Sequence, residues 1–542
     1  MTDVRSRGGL PLMLLGAALT ALTLIFPSVG ILEWLTLIPL YLGLYRLSDA
    51  PALRLRRYYL YGFLTVYVYN FVLYHWFLNL YPLDFVGMDE ASSLVVVLAG
   101  WLGLPLLQAI PGGLMLAIFF FFQKRGLFER APLLRPFVFA SLWVLLEWIS
   151  TLGWTGVPWG RLCLGQAELL PMLQSASLFG SYFVSFLILL VNGLVAYAIL
   201  YRMRATLCGV TAICLFLFNF GFGWGRMRSD EKAHAQDDTV RVAVIQGNIS
   251  SHEKWDGGTY TKMKEVHADL TRKAAERGAE LVVWAETALP YVLNTSPDLC
   301  EYVSELAQEC RVYLIVGALY TSDMGEDYNV LYLVEPSGEI REEVYAKRHL
   351  VPFGEYVPMK ELIMTLIPPL AELSALDSDL VAGEDSALFE TEWGSIGSLI
   401  CFDSIYEELN RDSIRDGAEL MVISTNDSWF RDSAAVYMHQ RQAQLRAIEG
   451  GRSVVRSANT GISTVISPTG ENMAWIDPLV EGYAVADVQL RSSQTVYMTL
   501  GNLWVYLSVA FCALLFVISI LLPFQKVKPV VMRAGYGKAG RG

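Results

Sequence analysis

Runs of about 20 apolar residues, the length a helix needs to cross a bilayer, recur through the first 225 positions and return once near the end. They lie near 10–26, 29–46, 58–80, 92–122, 133–150, 171–200, 205–225 and 500–523, which predicts about eight spans. The fourth is overlong and contains Pro105 and Pro111, so it reads as one kinked helix or as a helix with a re-entrant piece. Composition agrees: 54% of residues are hydrophobic and 17% charged, with a mean hydropathy of +0.39, as suits a chain partly dissolved in lipid. The net charge of -12 has no basic block behind it, which argues against a nucleic-acid partner.

Lys and Arg in the short connections give an orientation, because cytoplasmic loops retain positive charge. Arg5, Arg7, Arg46, Arg54, Arg56, Arg57, Lys124, Arg125, Arg130, Arg135, Arg202 and Arg204 fall on one side, and the opposite side holds little besides Arg161. The tail with Lys526, Lys528, Arg533, Lys538 and Arg541 belongs to the basic side too. Both termini are then cytoplasmic, and Met1 to Phe26 is a retained first span without a convincing cleavage site. The expected plan is a seven-span helical bundle over 1–227, an outward-facing domain over 228–498, and a last span with a basic tail over 499–542.

The outward segment alternates short β-rich runs with amphipathic stretches, the pattern of an α/β domain. Strands are expected at Thr239 to Gln246, Glu280 to Trp284, 312–320, 328–334, 395–401, 419–424, 453–458 and 462–467. Tyr260, Met263, Val266 and Leu270 recur at helical spacing, and Pro336-Ser337-Gly338 and Pro468-Thr469-Gly470 read as hairpin turns. The seven cysteines are scattered without CxxC pairs, so neither a metal site nor a disulfide framework is expected.

Three short segments carry potential chemistry: Val282-Val283-Trp284-Ala285-Glu286-Thr287, Tyr345-Ala346-Lys347-Arg348-His349, and Ile400-Cys401-Phe402-Asp403. Singly, each has a plain structural reading: a solvated strand-end acid, a surface-paired lysine, a small core cysteine. Together and in this order they resemble the site of the carbon-nitrogen hydrolase (nitrilase) superfamily, a Glu, a Lys and a Cys supplied by three successive strand ends. That resemblance implies an α-β-β-α sandwich. A thiol with pKa near 8.5 needs a base or a positive charge before it attacks; Glu286 can take its proton and Lys347 can hold the thiolate and the developing oxyanion. The resemblance also implies the backbone N–H of Phe402 as second oxyanion donor, and losing one such donor costs about 3 kcal/mol of transition-state stabilisation.

A nitrilase domain set between a bundle of spans and one final span resembles the bacterial apolipoprotein N-acyltransferase family. The resemblance implies a multi-pass inner-membrane enzyme, working as a monomer and without metal or diffusible cofactor. Its site cysteine takes an acyl chain from a phosphatidylethanolamine-like phospholipid as a thioester. It then passes that chain to the N-terminal diacylglyceryl-cysteine of an apolipoprotein, so ping-pong kinetics are implied. It further implies supporting roles for Glu355 in Phe353-Gly354-Glu355-Tyr356 and for Trp255 in Lys254-Trp255. The sequence departs from the family after the nucleophile, where Phe402-Asp403 stands in place of the usual Tyr-Glu. The phenol hydroxyl is lost and the acid is one methylene shorter.

Several residues carry two readings. Segment 356–370 is either a lid dipping into the outer leaflet or an amphipathic helix packed on its own domain. Glu147, near the end of a span, is expected in a structural hydrogen bond, Trp154 and Trp159 in an aromatic belt, and Glu407 to Asp416 on a solvated face. His349 would suit a Cys-His enzyme. Two rival functions remain: a membrane-tethered amidase using the same triad with water as acceptor, and a receptor or transporter with a degenerate domain.

Overall fold

The computed structural model describes residues 8–48, 54–83, 87–202, 204–254, 257–361, 365 and 379–522. Trp255, most of the 356–370 segment and the basic tail lie outside the described residues. In the first 233 positions, apolar helices stand where the hydropathy predicts them. Five helical stretches among the described residues are long and apolar enough to cross a membrane: Pro27–Ser48, Glu90–Lys124, Ser181–Leu200, Ala205–Ala233 and Leu503–Leu521. Gly9–Ile25, Leu55–Leu73 and Leu134–Ile149 are helices at the other predicted spans, and Gly9–Ile25 is apolar but shorter.

The overlong fourth segment is one helix of 35 residues with Pro105 and Pro111 inside it. Its start is set by Asp89, whose carboxylate accepts from the N–H groups of Ala91 and Ser92, two donors that would otherwise lack a partner. It packs on Leu55–Leu73 through glycines. A Cβ on Gly62 would lie 2.4 Å from the carbonyl oxygen of Gly112, so only small residues allow this backbone approach, the usual route to tight helix pairing in lipid. The predicted span 171–200 differs: short turns occupy its first part, and the continuous helix begins at Ser181 after Gly180 takes φ 77°.

The second half forms two six-stranded sheets among the described residues. The first contains β1 (Val240–Gln246), β2 (Leu281–Val283), β3 (Tyr313–Thr321), β4 (Asp327–Val334), β5 (Ile340–Ala346) and β12 (Gly482–Val488), in the order β12-β1-β2-β3-β4-β5. The second contains β6 (Leu388–Thr391), β7 (Gly394–Ile400), β8 (Leu420–Thr425), β9 (Val454–Ala458), β10 (Ser463–Ile466) and β11 (Asn472–Ile476), in the order β11-β10-β9-β8-β7-β6. The centres β1-β2-β3 and β7-β8-β9 are parallel, so their strands are buried along most of their length rather than on alternate residues. The sheets face each other, tied across the middle by Ser424 Oγ donating to Trp284 O and Ser457 Oγ to Ile245 O, each at 2.8 Å.

Helices cover both outer faces, completing an α-β-β-α sandwich. Tyr260–Glu276 buries Met263 and Leu270 against the first sheet, as its spacing predicts. Ala434–Gly450 covers the second sheet and is buried almost all round, because its other side rests on the helical bundle. There Gln442 Nε2 donates to Pro158 O at 3.1 Å and Arg441 donates to Leu24 O. This face seats the domain on the membrane part.

Candidate active site

The carboxyl ends of β2, β5 and β7 bring three side chains to one point. Beyond β2, Trp284 fixes the chain: its N–H donates to Ile315 O at 2.9 Å and its indole to Thr271 Oγ1 at 3.0 Å. The turn that follows runs so close to β3 that a Cβ on Gly317 would lie 2.3 Å from Ala285 O. Glu286 therefore leaves the strand on a backbone that cannot drift.

Its carboxylate accepts from Lys347 Nζ and from Asn329 Nδ2, both at 2.8 Å. Lys347 Nζ donates in turn to Glu355 at 2.9 Å, and Glu355 also accepts from Asn329 at 3.0 Å and from the N–H of Val351 at 2.8 Å. One ammonium thus lies between two carboxylates, and Glu286 and Lys347 are 5% and 1% exposed. Burial alone would raise the pKa of Glu286, but the Lys347 ammonium, with Lys254 and Asn329, holds it below the usual range. Burial would likewise lower that of Lys347, and Glu286, Glu355 and Cys401 hold it well above. The acid stays ionised and the amine charged.

Cys401 follows β7 with φ 50°, a left-handed conformation uncommon for a residue with a side chain and a form of local strain that clusters at functional sites. Asp403 holds this turn. Its carboxylate accepts from the N–H of Ile400 at 3.1 Å, from Tyr345 Oη at 2.9 Å, and from the N–H of His349 at 2.7 Å, so it ties the Cys401 turn to the lysine segment. The shorter acid of this chain reaches all three donors. Burial pushes its pKa up to about 6. Burial, and then the Glu286 charge, raise the pKa of the Cys401 thiol, while Lys347 lowers it. The resting site is therefore thiol, carboxylate and ammonium.

The structure places the other predicted residues as follows. Phe402 packs edge-on against Tyr406 at 5.5 Å, and the His349 ring lies on Tyr406 at 4.0 Å, where it serves the site through its backbone N–H rather than its imidazole. Glu147 accepts from the N–H of Leu162 at 3.0 Å, the expected structural role. Trp159 is not in an interfacial belt: it is buried, 4.8 Å from Trp76 and stacked on His439 at 5.8 Å. Trp154 is partly exposed beside Phe353. The helix Glu407–Asp416 is not a solvated face either, since Glu407, Leu409, Asn410, Ser413 and Ile414 are buried. Glu407 pairs with Arg161 and hydrogen-bonds Tyr182 at 2.9 Å, both contributed by the helical bundle.

Sequence reasoning missed three parts of the site. Asn329 bridges both carboxylates from the interior of β4, where an Asn looks like any polar residue. Lys254 reaches under the site from the position before Trp255. His439, whose Nδ1 lies 2.8 Å from Asp427 Oδ1 and whose Nε2 lies 3.2 Å from Cys401 O, supports the nucleophile turn from below. Nothing in the spacing of these residues marks them; only the sheet-to-sheet packing does.

Comparison with known proteins agrees with this architecture. Residues 241–497 match the family model for carbon-nitrogen hydrolases, and residues 16–194 match that for the N-terminal domain of apolipoprotein N-acyltransferases. An apolipoprotein N-acyltransferase of Gloeobacter violaceus is 32% identical over 501 residues, covering 91% of each chain. One of Geobacter metallireducens is 31% identical over 508 residues, covering 90% of this chain and 91% of its own. Among solved structures, Nit3 of Saccharomyces cerevisiae, a member of the nitrilase superfamily, aligns with 46% of this chain and 90% of its own at 20% identity and a TM-score of 0.37. With both halves matched in order and the relatives spanning nearly the full length, the chain belongs to the apolipoprotein N-acyltransferase family, acyltransferases of the carbon-nitrogen hydrolase superfamily.

Proposed function

We propose that the protein moves an acyl chain from a phosphatidylethanolamine-like phospholipid to the N-terminal diacylglyceryl-cysteine of apolipoproteins, through a thioester on Cys401. The observation that carries this reading is the Lys347 ammonium bound to Glu286 at 2.8 Å beside the strained Cys401 turn, in a domain seated on apolar helices. In the first half-reaction Glu286 takes the thiol proton as the sulfur attacks the phospholipid ester carbon. Lys347 Nζ and the Phe402 N–H hold the oxyanion. The ester C–O bond breaks, and the lysophospholipid alkoxide leaves with the proton from Glu286. In the second, the acceptor's α-amine attacks the thioester, Glu286 takes the amine proton, and the C–S bond breaks to return the thiol.

Glu355 keeps Lys347 oriented, Asp403 keeps the Cys401 turn, and the family resemblance gives Trp255 a supporting role. Charge distribution in the loops supports cytoplasmic termini and an active site on the outer face of the membrane, the apolar runs support eight spans, and the family relationship supports a bacterial inner membrane as the location. Incubation with phospholipid carrying a labelled acyl chain tests the reading. Label is expected on Cys401 as a hydroxylamine-sensitive thioester, and Cys401→Ala should lower transfer about a million-fold. Release of free fatty acid or ammonia from a small amide, with no lipid-derived thioester, would favour the amidase instead.

A further inference from the structure

A second lysine lies buried beneath the Glu286–Lys347 pair. Lys254 ends the short helix Ser251–Lys254 and is 2% exposed. Its Nζ donates to the main-chain oxygen of Glu286 at 2.9 Å and to Thr287 Oγ1. Thr287 has φ 43°, a conformation in which a β-branched residue is strained and which persists only where neighbours hold it. Lys254 grips both residues of the turn that aims the Glu286 carboxylate. A lysine is a costly way to hold a turn, since a buried ammonium must be stabilised, and a neutral donor would serve if hydrogen bonds were all that mattered.

The groups that face it come from four other elements. Glu286 follows β2, Lys347 follows β5, Cys401 follows β7, and His267 projects from Tyr260–Glu276. Burial brings the pKa of Lys254 down to about 8, against the raising effect of Glu286 and Cys401. Even so, the ammonium form predominates at neutral pH. Two positive groups, Lys347 on the carboxylate and Lys254 on the main chain behind it, thus converge on Glu286.

We propose that Lys254 is a positioning residue for acyl transfer: it locks the strained Glu286–Thr287 turn, and its positive charge stabilises the negative charge shared by Glu286 and the Cys401 sulfur. The proposal rests on Glu286 as base and Cys401 as nucleophile.

Single-turnover acylation of the full-length enzyme in phospholipid vesicles, followed across pH, tests it with Lys254→Met and Lys254→Gln. Gln keeps a hydrogen-bond donor and loses the charge. Lys254→Met should acylate about 10–100-fold more slowly, and in both variants the acidic limb of the rate profile should move to higher pH, because Glu286 has lost a neighbouring cation. If Lys254→Met does not fold, Lys254→Gln alone still reads the limb. A slower rate on an unmoved limb would mean that the lysine only braces the fold, and an unchanged rate would remove it from the mechanism; either result overturns the proposal. The two assignments fail separately: labelled adduct persisting in Cys401→Ala defeats the nucleophile, whereas an unmoved limb with the adduct confined to Cys401 defeats Lys254 alone.

Discussion

Two buried ion clusters, one at the catalytic strand ends and one at the seam between domain and bundle, are built from similar charges and do different work. At the first, Lys347 lies between Glu286 and Glu355, with Asn329 bridging the two acids. At the second, Glu407 meets Arg161 and lies 3.8 Å from Arg446, which also pairs with Glu449 at 3.0 Å. The catalytic cluster faces a thiol on a strained turn. The seam cluster takes further hydrogen bonds from Tyr182 and from the N–H of Ser181. Burial of charge is therefore not in itself chemistry. It becomes chemistry where a nucleophile can exchange a proton with it, and elsewhere it fixes how two pieces meet.

The contrast breaks most sharply at Lys347. Lys347→Met removes the proposed oxyanion donor and leaves two carboxylates against each other, so acyl transfer should fall at least about a thousand-fold. A loss of less than tenfold in the labelled-lipid assay would mean that this cluster is no more reactive than the seam. At the seam the expected effect is on stability. Arg161→Met leaves Glu407 without its closest partner and should cost about 3–5 kcal/mol, read by thermal unfolding in detergent, with the rate per folded molecule changed less than tenfold. Adding Glu407→Gln should recover part of that stability, because it removes the unpaired charge; loss of activity with no shift in melting would make the seam catalytic.

The smallest effect is a slope with pH. Burial would raise the pKa of Glu407, but Arg161 and Arg446 hold it at about 2, against an ordinary 4.5. A depressed acid contributes stability that is present above its unfolded value and lost as pH falls through the folded one. Unfolding experiments should show stability declining from about pH 4.5 towards 2, and the decline should be shallower in Glu407→Gln.

What the sequence made legible follows from what sequence patterns encode. Apolar runs mark the helices because lipid leaves no alternative to a fully hydrogen-bonded helix. The buried parallel strands β1, β7, β8 and β9 were readable as short β-rich runs. The strands β5, β6, β11 and β12 were not, since edge strands carry charge and exposed positions: Ile340–Ala346 contains Arg341, Glu342 and Glu343. The segments carrying Glu286, Lys347 and Cys401 stood out through their order along the chain. Asn329 and Lys254 were not, since each acts through a neighbour distant in sequence. Arg161, the one basic residue on the wrong side of the charge pattern, was a signal; its meaning lay in Glu407, 246 positions away.

The helix Ala434–Gly450 has no wet side, and this bears on how the molecule can be divided. Severed after residue 227, the catalytic half would present to water a surface made to be covered, with the Glu407 carboxylate stripped of its guanidinium. Such a fragment should clump rather than dissolve, which light scattering on residues 228–498 alone would register. The enzyme is thus not a soluble catalyst tied to an anchor, since its anchor supplies one wall of the catalyst's own interior.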